Sequence, residues 1–323
     1  MNFQDMHSNK LIYILGANGF IGTEIYSYLK RVNLDVIPVT RSGNALSTVK
    51  EICITEFFDR LKQPSDKSII VVNTVGKAHV RAKPEANNVE TFMEANINFC
   101  EVLGNKIKAS NVKKLIHISS ISARSNFKVI QNTLEGCGCD SLNRDAYSIS
   151  KQMGEAELQK ALQNSCTSLI ILRPVLVYGK NAPGNFGSLV RVLKTKLPLP
   201  IKSFQNVKSV LSGQNLASFV HNCIEHETFD GRCVAVADYN NYTVFRLISN
   251  LYTALGLNNH CFYLPEFLLK NILMIIGKKN IFDKLSENLH IDMDEIVNEY
   301  GWTPYETQEN AFQRIFKDRE LNE

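Results

Sequence analysis

The stretch Leu11–Gly22, LIYILGANGFIG, constrains this chain more than any other. Leu11 to Leu15 is a continuous apolar run that reads as a buried first strand. Gly16, Gly19 and Gly22 follow at intervals of three, and Phe20, Ile21, Ile25, Tyr28 and Leu29 then repeat with helical spacing. A strand, a glycine turn and a helix in that order suit a dinucleotide. One glycine permits the tight turn, one lets a pyrophosphate approach the backbone, and one lets helix pack on strand. The helix N-terminus adds free N–H groups and the positive end of its dipole. A turn with a purely structural role is the alternative.

Further apolar runs at Val36–Val39, Ile69–Val72, Leu115–Ile118 and Leu169–Leu172 read as strands. Between them come a short helix near Glu56–Leu61 and long ones at Glu85–Ser110 and Asp145–Gln163, the former carried by Val89, Phe92, Met93, Ile97, Cys100, Leu103 and Ile107. Strands alternating with helices predict an α/β fold with a Rossmann-type, doubly wound parallel sheet over residues 9–178. Asn126–Asp145 lacks periodicity and reads as a loop passing the site. Beyond Gly179 the texture changes, with a Gly-, Asn- and Pro-rich stretch at Lys180–Gly187 and a turn at Leu197–Pro200. Residues 179–323 are expected to form mainly a smaller, substrate-binding lobe, with parts of 205–257 returning to the first domain.

A net charge of +4 with no basic block argues against nucleic acid as a partner. The eight cysteines are scattered, and Cys137 and Cys139 lack a second pair at zinc-ligand spacing. Reduced thiols in a cytoplasmic protein, with no metal, are expected. Residues 1–10 contain no apolar core of a secretory signal. Phe262–Ile276 is the most apolar late stretch, but Glu266 and Lys270 interrupt it, so no transmembrane segment is expected. An amphipathic helix starting at Pro265 and packing within the C-terminal lobe is the expectation there, with peripheral membrane contact the alternative.

An NAD-specific turn carries an acid about 20 residues beyond the glycines, on the adenosine ribose. The second strand ends here in Val39-Thr40-Arg41-Ser42, and the nearest acid, Asp35, precedes it. Arg41 is placed to pair with a 2′-phosphate, so NADP is slightly favoured over NAD, with a solvated Arg41 the alternative. Tyr147 and Lys151 stand at i and i+4 on one helix, about 5–6 Å apart at Cβ. A free phenol titrates near 10 and is a poor base at neutral pH; a neighbouring ammonium lowers that value. Ser120, at a strand end, can hydrogen-bond the same substrate oxygen.

With Gly16-Ala17-Asn18-Gly19-Phe20-Ile21-Gly22, Asn73–Gly76, Asn96, Ser119-Ser120, Tyr147/Lys151, Arg173-Pro174 and Gly301-Trp302-Thr303-Pro304, the chain resembles the extended short-chain dehydrogenase/reductases of the nucleotide-sugar epimerase/dehydratase group. The resemblance implies Ser120, Tyr147 and Lys151 as the catalytic triad. It implies a dinucleotide held by Gly16, Asn18, Gly19, Phe20, Ile21 and Gly22, by Thr74, Val75 and Gly76, and by Asn96, Tyr147, Lys151 and Pro174. For a UDP-sugar it implies Asn185 and Lys208 on the diphosphate, with Ser122 and His79 as candidate sugar contacts. Lys208 departs from the family's usual Arg, keeping charge and losing bidentate geometry. By the same resemblance, the long helices Glu85–Ser110 and Asp145–Gln163 are those that pair in a homodimer.

Within that group the chain resembles UDP-N-acetylquinovosamine 4-reductases and UDP-hexose 4-epimerases. A 4,6-dehydratase is disfavoured because Ile121-Ser122, and no Asp-Glu pair, follows Ser120. Arg41 tips the expectation towards a UDP-4-keto-6-deoxy-N-acetylhexosamine 4-reductase of surface polysaccharide biosynthesis. The alternatives are a UDP-glucose or UDP-N-acetylglucosamine 4-epimerase with tightly bound NAD, and a non-catalytic dinucleotide sensor.

Overall fold

The computed structural model describes residues 9–43, 51–77, 90, 92–123, 146–227, 229 and 231–317. His79, Cys137, Cys139, the whole Asn126–Asp145 stretch and the first residues of the expected Glu85–Ser110 helix lie outside them. In chain order the first elements are β1 (Lys10–Leu15), α1 (Phe20–Arg31), β2 (Val36–Thr40), β3 (Ile52–Cys53), α2 (Ile54–Arg60), β4 (Ser68–Asn73), a π-helical segment (Met93–Asn98), α3 (Phe99–Lys108), β5 (Val112–Ile118), a single 3₁₀ turn (Ile121–Ala123), α4 (Ala146–Leu162) and β6 (Ser168–Pro174). Then follow β7 (Leu176–Tyr178), α5 (Gly184–Lys194), β8 (Val207–Lys208), β9 (Val210–Ser212), α6 (Gly213–Glu225), β10 (Cys233–Val236), β11 (Tyr242–Thr243) and α7 (Val244–Ala254). The chain ends with α8 (Glu266–Ile275), α9 (Lys279–Ser286), α10 (Asp294–Tyr300) and α11 (Gln308–Lys317).

Two compact units divide the chain, and residues 213–236 belong with the first although they follow much of the second. In the first unit seven strands form one sheet in the order β10-β6-β5-β4-β1-β2-β3, every pairing parallel. The strands are apolar on both faces because helices cover both. Tyr13, Leu15, Val71 and Leu115 pack with Leu103, Ile107, Leu158 and Leu162 of α3 and α4. Lys114 points the other way, and its buried ammonium donates to the carbonyls of Cys223 (2.8 Å) and His226 (2.9 Å) at the end of α6. A cation there complements the negative end of the helix. The chain order reverses between β1 and β4, so the carboxyl ends of these two strands form the crevice where open α/β sheets take ligands.

The second unit holds α5, α7 to α11 and two small sheets, β8 with β11 antiparallel and β7 with β9 parallel. Trp302 is buried, and Gly301 before it adopts φ +64°, ending α10 in the left-handed conformation that glycine adopts freely. Tyr178 donates to Asp238 (2.8 Å), whose other oxygen accepts from the Ser212 backbone N–H (2.9 Å).

Residues 184–187 open helix α5, with Phe186 buried against Tyr178 and Phe312. Two expectations change. The Glu85–Ser110 helix is no uniform α-helix, since residues 93–98 widen into a π-helical segment. Helix α8 does begin after Pro265, but it does not bury its apolar side chains: only Leu269 is buried. No helix among the described residues is long and apolar enough to cross a membrane.

Candidate functional site

The glycine turn is tight at two points. Gly16 has φ +77°, a conformation that costs an L side chain strain. A methyl group at Gly22 would lie 2.2 Å from the Gly16 carbonyl oxygen, so helix α1 can pass under β1 only as glycine. Asn18 and Gly19 are exposed, and Phe20 and Ile21 half-buried. No side chain caps the start of α1 and no acid stands in its first turn, which leaves that end open to an anion. Thr74 closes the neighbouring strand end, donating its hydroxyl to the Leu15 carbonyl (2.7 Å). The Val75 N–H donates to the buried Asn73 side chain (3.0 Å). These features fit the pyrophosphate of a dinucleotide.

Arg41 is exposed just beyond β2, while Asp35 lies at the strand's other end and pairs with Lys67 at 2.7 Å. Among the described residues, the carboxyl end of β2 therefore offers the Arg41 guanidinium, while Asp35 stands at the opposite end. Thr40 is buried, and its hydroxyl accepts the Gly43 N–H (3.0 Å).

Gly76, Asn96 and Lys151 come together from three elements. A methyl at Gly76 would lie 2.6 Å from the Lys151 Nζ and 3.1 Å from Asn96 Oδ1. Asn96 sits in the π-helical segment, fully engaged. Its Oδ1 accepts the Lys77 N–H (2.9 Å), and its Nδ2 donates to the Lys77 carbonyl (3.2 Å) and to Ser150 Oγ (2.9 Å). Ser150 in turn donates to the Tyr147 carbonyl (2.8 Å), which ties Asn96 to the first turn of α4. Gly154 permits this: a methyl there would meet the Asn96 carbonyl oxygen at 2.1 Å. The close helix crossing accounts for a π-helical segment where periodicity alone indicated an α-helix, and such segments recur at functional sites.

The ammonium of Lys151 is buried and donates to the Ile118 carbonyl at the end of β5 (3.2 Å). Burial pulls its pKa below the ordinary lysine value, against smaller opposing effects of Cys100 and Glu155. Tyr147 is half-buried, its ring 5.9 Å from that of Phe92. Ser120 is half-buried just past β5, its hydroxyl accepting the Ser122 N–H (3.2 Å), and α4 packs on the turn that follows. Pro174 is buried at the end of β6.

Lys151 predicts its own test. A buried ammonium opposes folding, so Lys151→Met is expected to cut turnover by roughly 10²-fold or more without loss of stability. The native pKa is depressed, so between that lowered value and the ordinary 10.5 the folded protein binds fewer protons than the unfolded chain. The stability of the natural protein relative to Lys151→Met therefore rises with pH across that window and is flat below it. Thermal midpoints of the two proteins across alkaline pH measure this.

Around the helix that bears Tyr147 and Lys151 lies a buried layer that periodicity could not reveal. Glu155, one turn beyond Lys151, accepts from Arg173 Nε (3.0 Å), pairs through its other oxygen with Arg173 Nη2, and accepts the Ser119 hydroxyl. Asn73 Nδ2 donates to His117 Nδ1 (3.0 Å), and burial holds His117 neutral by pushing its pKa well below the usual imidazole range. Arg173 and Ser119 were visible in the sequence only as neighbours of Pro174 and Ser120, and Glu155 as one more helical acid.

The second unit carries Asn185, exposed in the first turn of α5, and Lys208, half-buried in β8. Burial lowers the Lys208 pKa, against a smaller opposing effect of the Glu287 carboxylate.

The fold and the turn define a dinucleotide-binding α/β protein whose Tyr147 and Lys151 share one helix. The family model described as NAD dependent epimerase/dehydratase family matches residues 12–221, and the chain belongs to that family. A Vibrio cholerae protein named UDP-glucose 4-epimerase is 27% identical over 321 residues, covering 96% of this chain and 95% of that one. A Bacillus cereus UDP-glucuronic acid 4-epimerase solved with NAD has a TM-score of 0.71 at 16% identity, covering 95% of each chain. A human epimerase family protein, SDR39U1, solved with NADPH has a TM-score of 0.70 at 16% identity, covering 96% of this chain and 99% of that one. The last two are likenesses of fold.

Proposed function

We propose that this enzyme is a UDP-hexose 4-epimerase that keeps NAD bound through turnover. The observation that carries the proposal is the convergence of Gly76, Asn96 and the buried Lys151 ammonium on the helix of Tyr147, at the sheet's carboxyl edge. The near full-length match to a protein named UDP-glucose 4-epimerase favours it over the 4-reductase. The reductase expectation rested mainly on Arg41, an exposed side chain.

Gly16, Gly19, Gly22 and the open start of α1 hold the pyrophosphate, Thr74 to Gly76 line the crevice, and Asn96, Lys151 and Pro174 shape the nicotinamide end. When bound, the dinucleotide supplies the acceptor and returning donor of a hydride at the sugar's C4. Tyr147 removes the proton from the C4 hydroxyl and later returns it. Lys151 lowers the cost of the tyrosinate, and Ser120 hydrogen-bonds the same oxygen. Asn185 and Lys208 take the UDP diphosphate, Lys208 as a point charge. Ser122 and His79 are assigned to the sugar ring. Met93, Val102, Ile149 and Met153, exposed on the π-helical segment, α3 and α4, suit a homodimer face.

Dinucleotide released by denaturing the purified protein is expected to be NAD, retained through gel filtration. NADP, or an empty site that consumes added NADPH with a UDP-4-keto sugar, would give Arg41 a phosphate partner and favour the 4-reductase.

A further inference from the structure

Half of the exposed large hydrophobic side chains among the described residues crowd into one stretch of the second unit. They are Phe262, Tyr263, Phe267, Leu268, Ile272, Met274, Ile275, Ile276 and Ile281, nine of eighteen. On α8, Leu268, Ile272 and Ile275 follow at i, i+4 and i+7, a single stripe, and Ile275 is 83% exposed. Monomers rarely leave so dense a patch uncovered.

The segment is held in place. Phe262 donates its N–H to the Leu199 carbonyl (2.9 Å) and accepts from Lys202 (3.2 Å), and the Ser203 hydroxyl donates to the Leu264 carbonyl (2.7 Å). Leu269 is the buried residue of α8, α9 packs against α8, and the ring of Phe282 on α9 lies 5.9 Å from that of Phe204, tilted against it. The apolar stripe is thus presented on a fastened scaffold.

Charge and composition bear on what covers it. Lys270, Lys278 and Lys279, all exposed, lie within the stretch, and the exposed Glu266 and Asp283 stand at its two ends, so the lysines outnumber the acids. Phe262, Tyr263 and Phe267 border it at one end, as aromatic rings do at a lipid headgroup boundary. Helix α8 has ten residues, about 15 Å, too short to span a bilayer and suited to lying along one.

We infer that α8 and the turn into α9 dock on an anionic lipid bilayer, the stripe entering the interface and the lysines meeting the headgroups. The inference is independent of the sugar chemistry. Sedimentation with phosphatidylcholine vesicles, with and without phosphatidylglycerol, tests it. The protein is expected to pellet with the anionic vesicles and to be released by salt. Ile272→Glu with Ile275→Glu should weaken binding at least about tenfold. Lys278→Ala with Lys279→Ala should weaken binding to anionic vesicles selectively. Protein that stays in the supernatant with anionic vesicles overturns the inference. So does concentration-dependent self-association that the isoleucine pair abolishes while vesicle binding persists, which would make a second copy the occupant.

Discussion

Replacing Tyr147 with Phe is expected to lower turnover by roughly 10²–10⁴-fold, the range of a lost general acid–base group, with fold and dinucleotide content nearly intact. The ring stays half-buried beside Phe92, so the substitution removes a hydroxyl and no packing. Anchoring of α4 by Asn96 and Ser150 runs through the Tyr147 backbone carbonyl, which Phe retains. Stability should change by no more than about 1 kcal/mol, the net worth of one hydrogen bond. Initial rates and thermal midpoints on the same preparations separate the two effects. A variant within severalfold of the natural rate would remove Tyr147 from the chemistry.

The second large effect concerns folding. Glu155 and Arg173 are almost wholly buried, with side-chain exposures of 2% and 6%, and they bond through both carboxylate oxygens. Removing one partner strands the other's charge in the interior, which costs about 3–5 kcal/mol. Arg173→Met and Glu155→Gln are each expected to destabilise strongly in urea. The double replacement by Met should recover most of the loss, because a buried pair adds little beyond an apolar pair of similar volume. The pair fastens the helix bearing Tyr147 and Lys151 to β6, and through Ser119 to the end of β5. Single variants no less stable than the double would show the pair carries no such constraint.

The central strands were legible because a parallel sheet covered on both faces writes each strand as an unbroken apolar run, as in Ile69–Val72. The glycine turn and the Tyr147/Lys151 spacing were legible because they depend on local geometry. Strand β3, two residues long, and edge strand β10 were not, since their existence depends on a neighbouring strand. Helix α4 buries Ser148, Ser150, Lys151, Gly154 and Glu155, a polar face whose order comes from Asn96 and Arg173 far along the chain. Apolar density at α8 indicated a helix correctly, but the packing within the C-terminal lobe expected from it buries only Leu269. Hydrophobic spacing records that a face is to be buried and leaves out against what.

The most direct test is to give the purified protein UDP-glucose deuterated at C4, adding no dinucleotide, and to follow the nucleotide sugars by NMR. The account predicts UDP-galactose with the label kept on C4. No interconversion, with reduction of a UDP-4-keto sugar on adding NADPH, would contradict it.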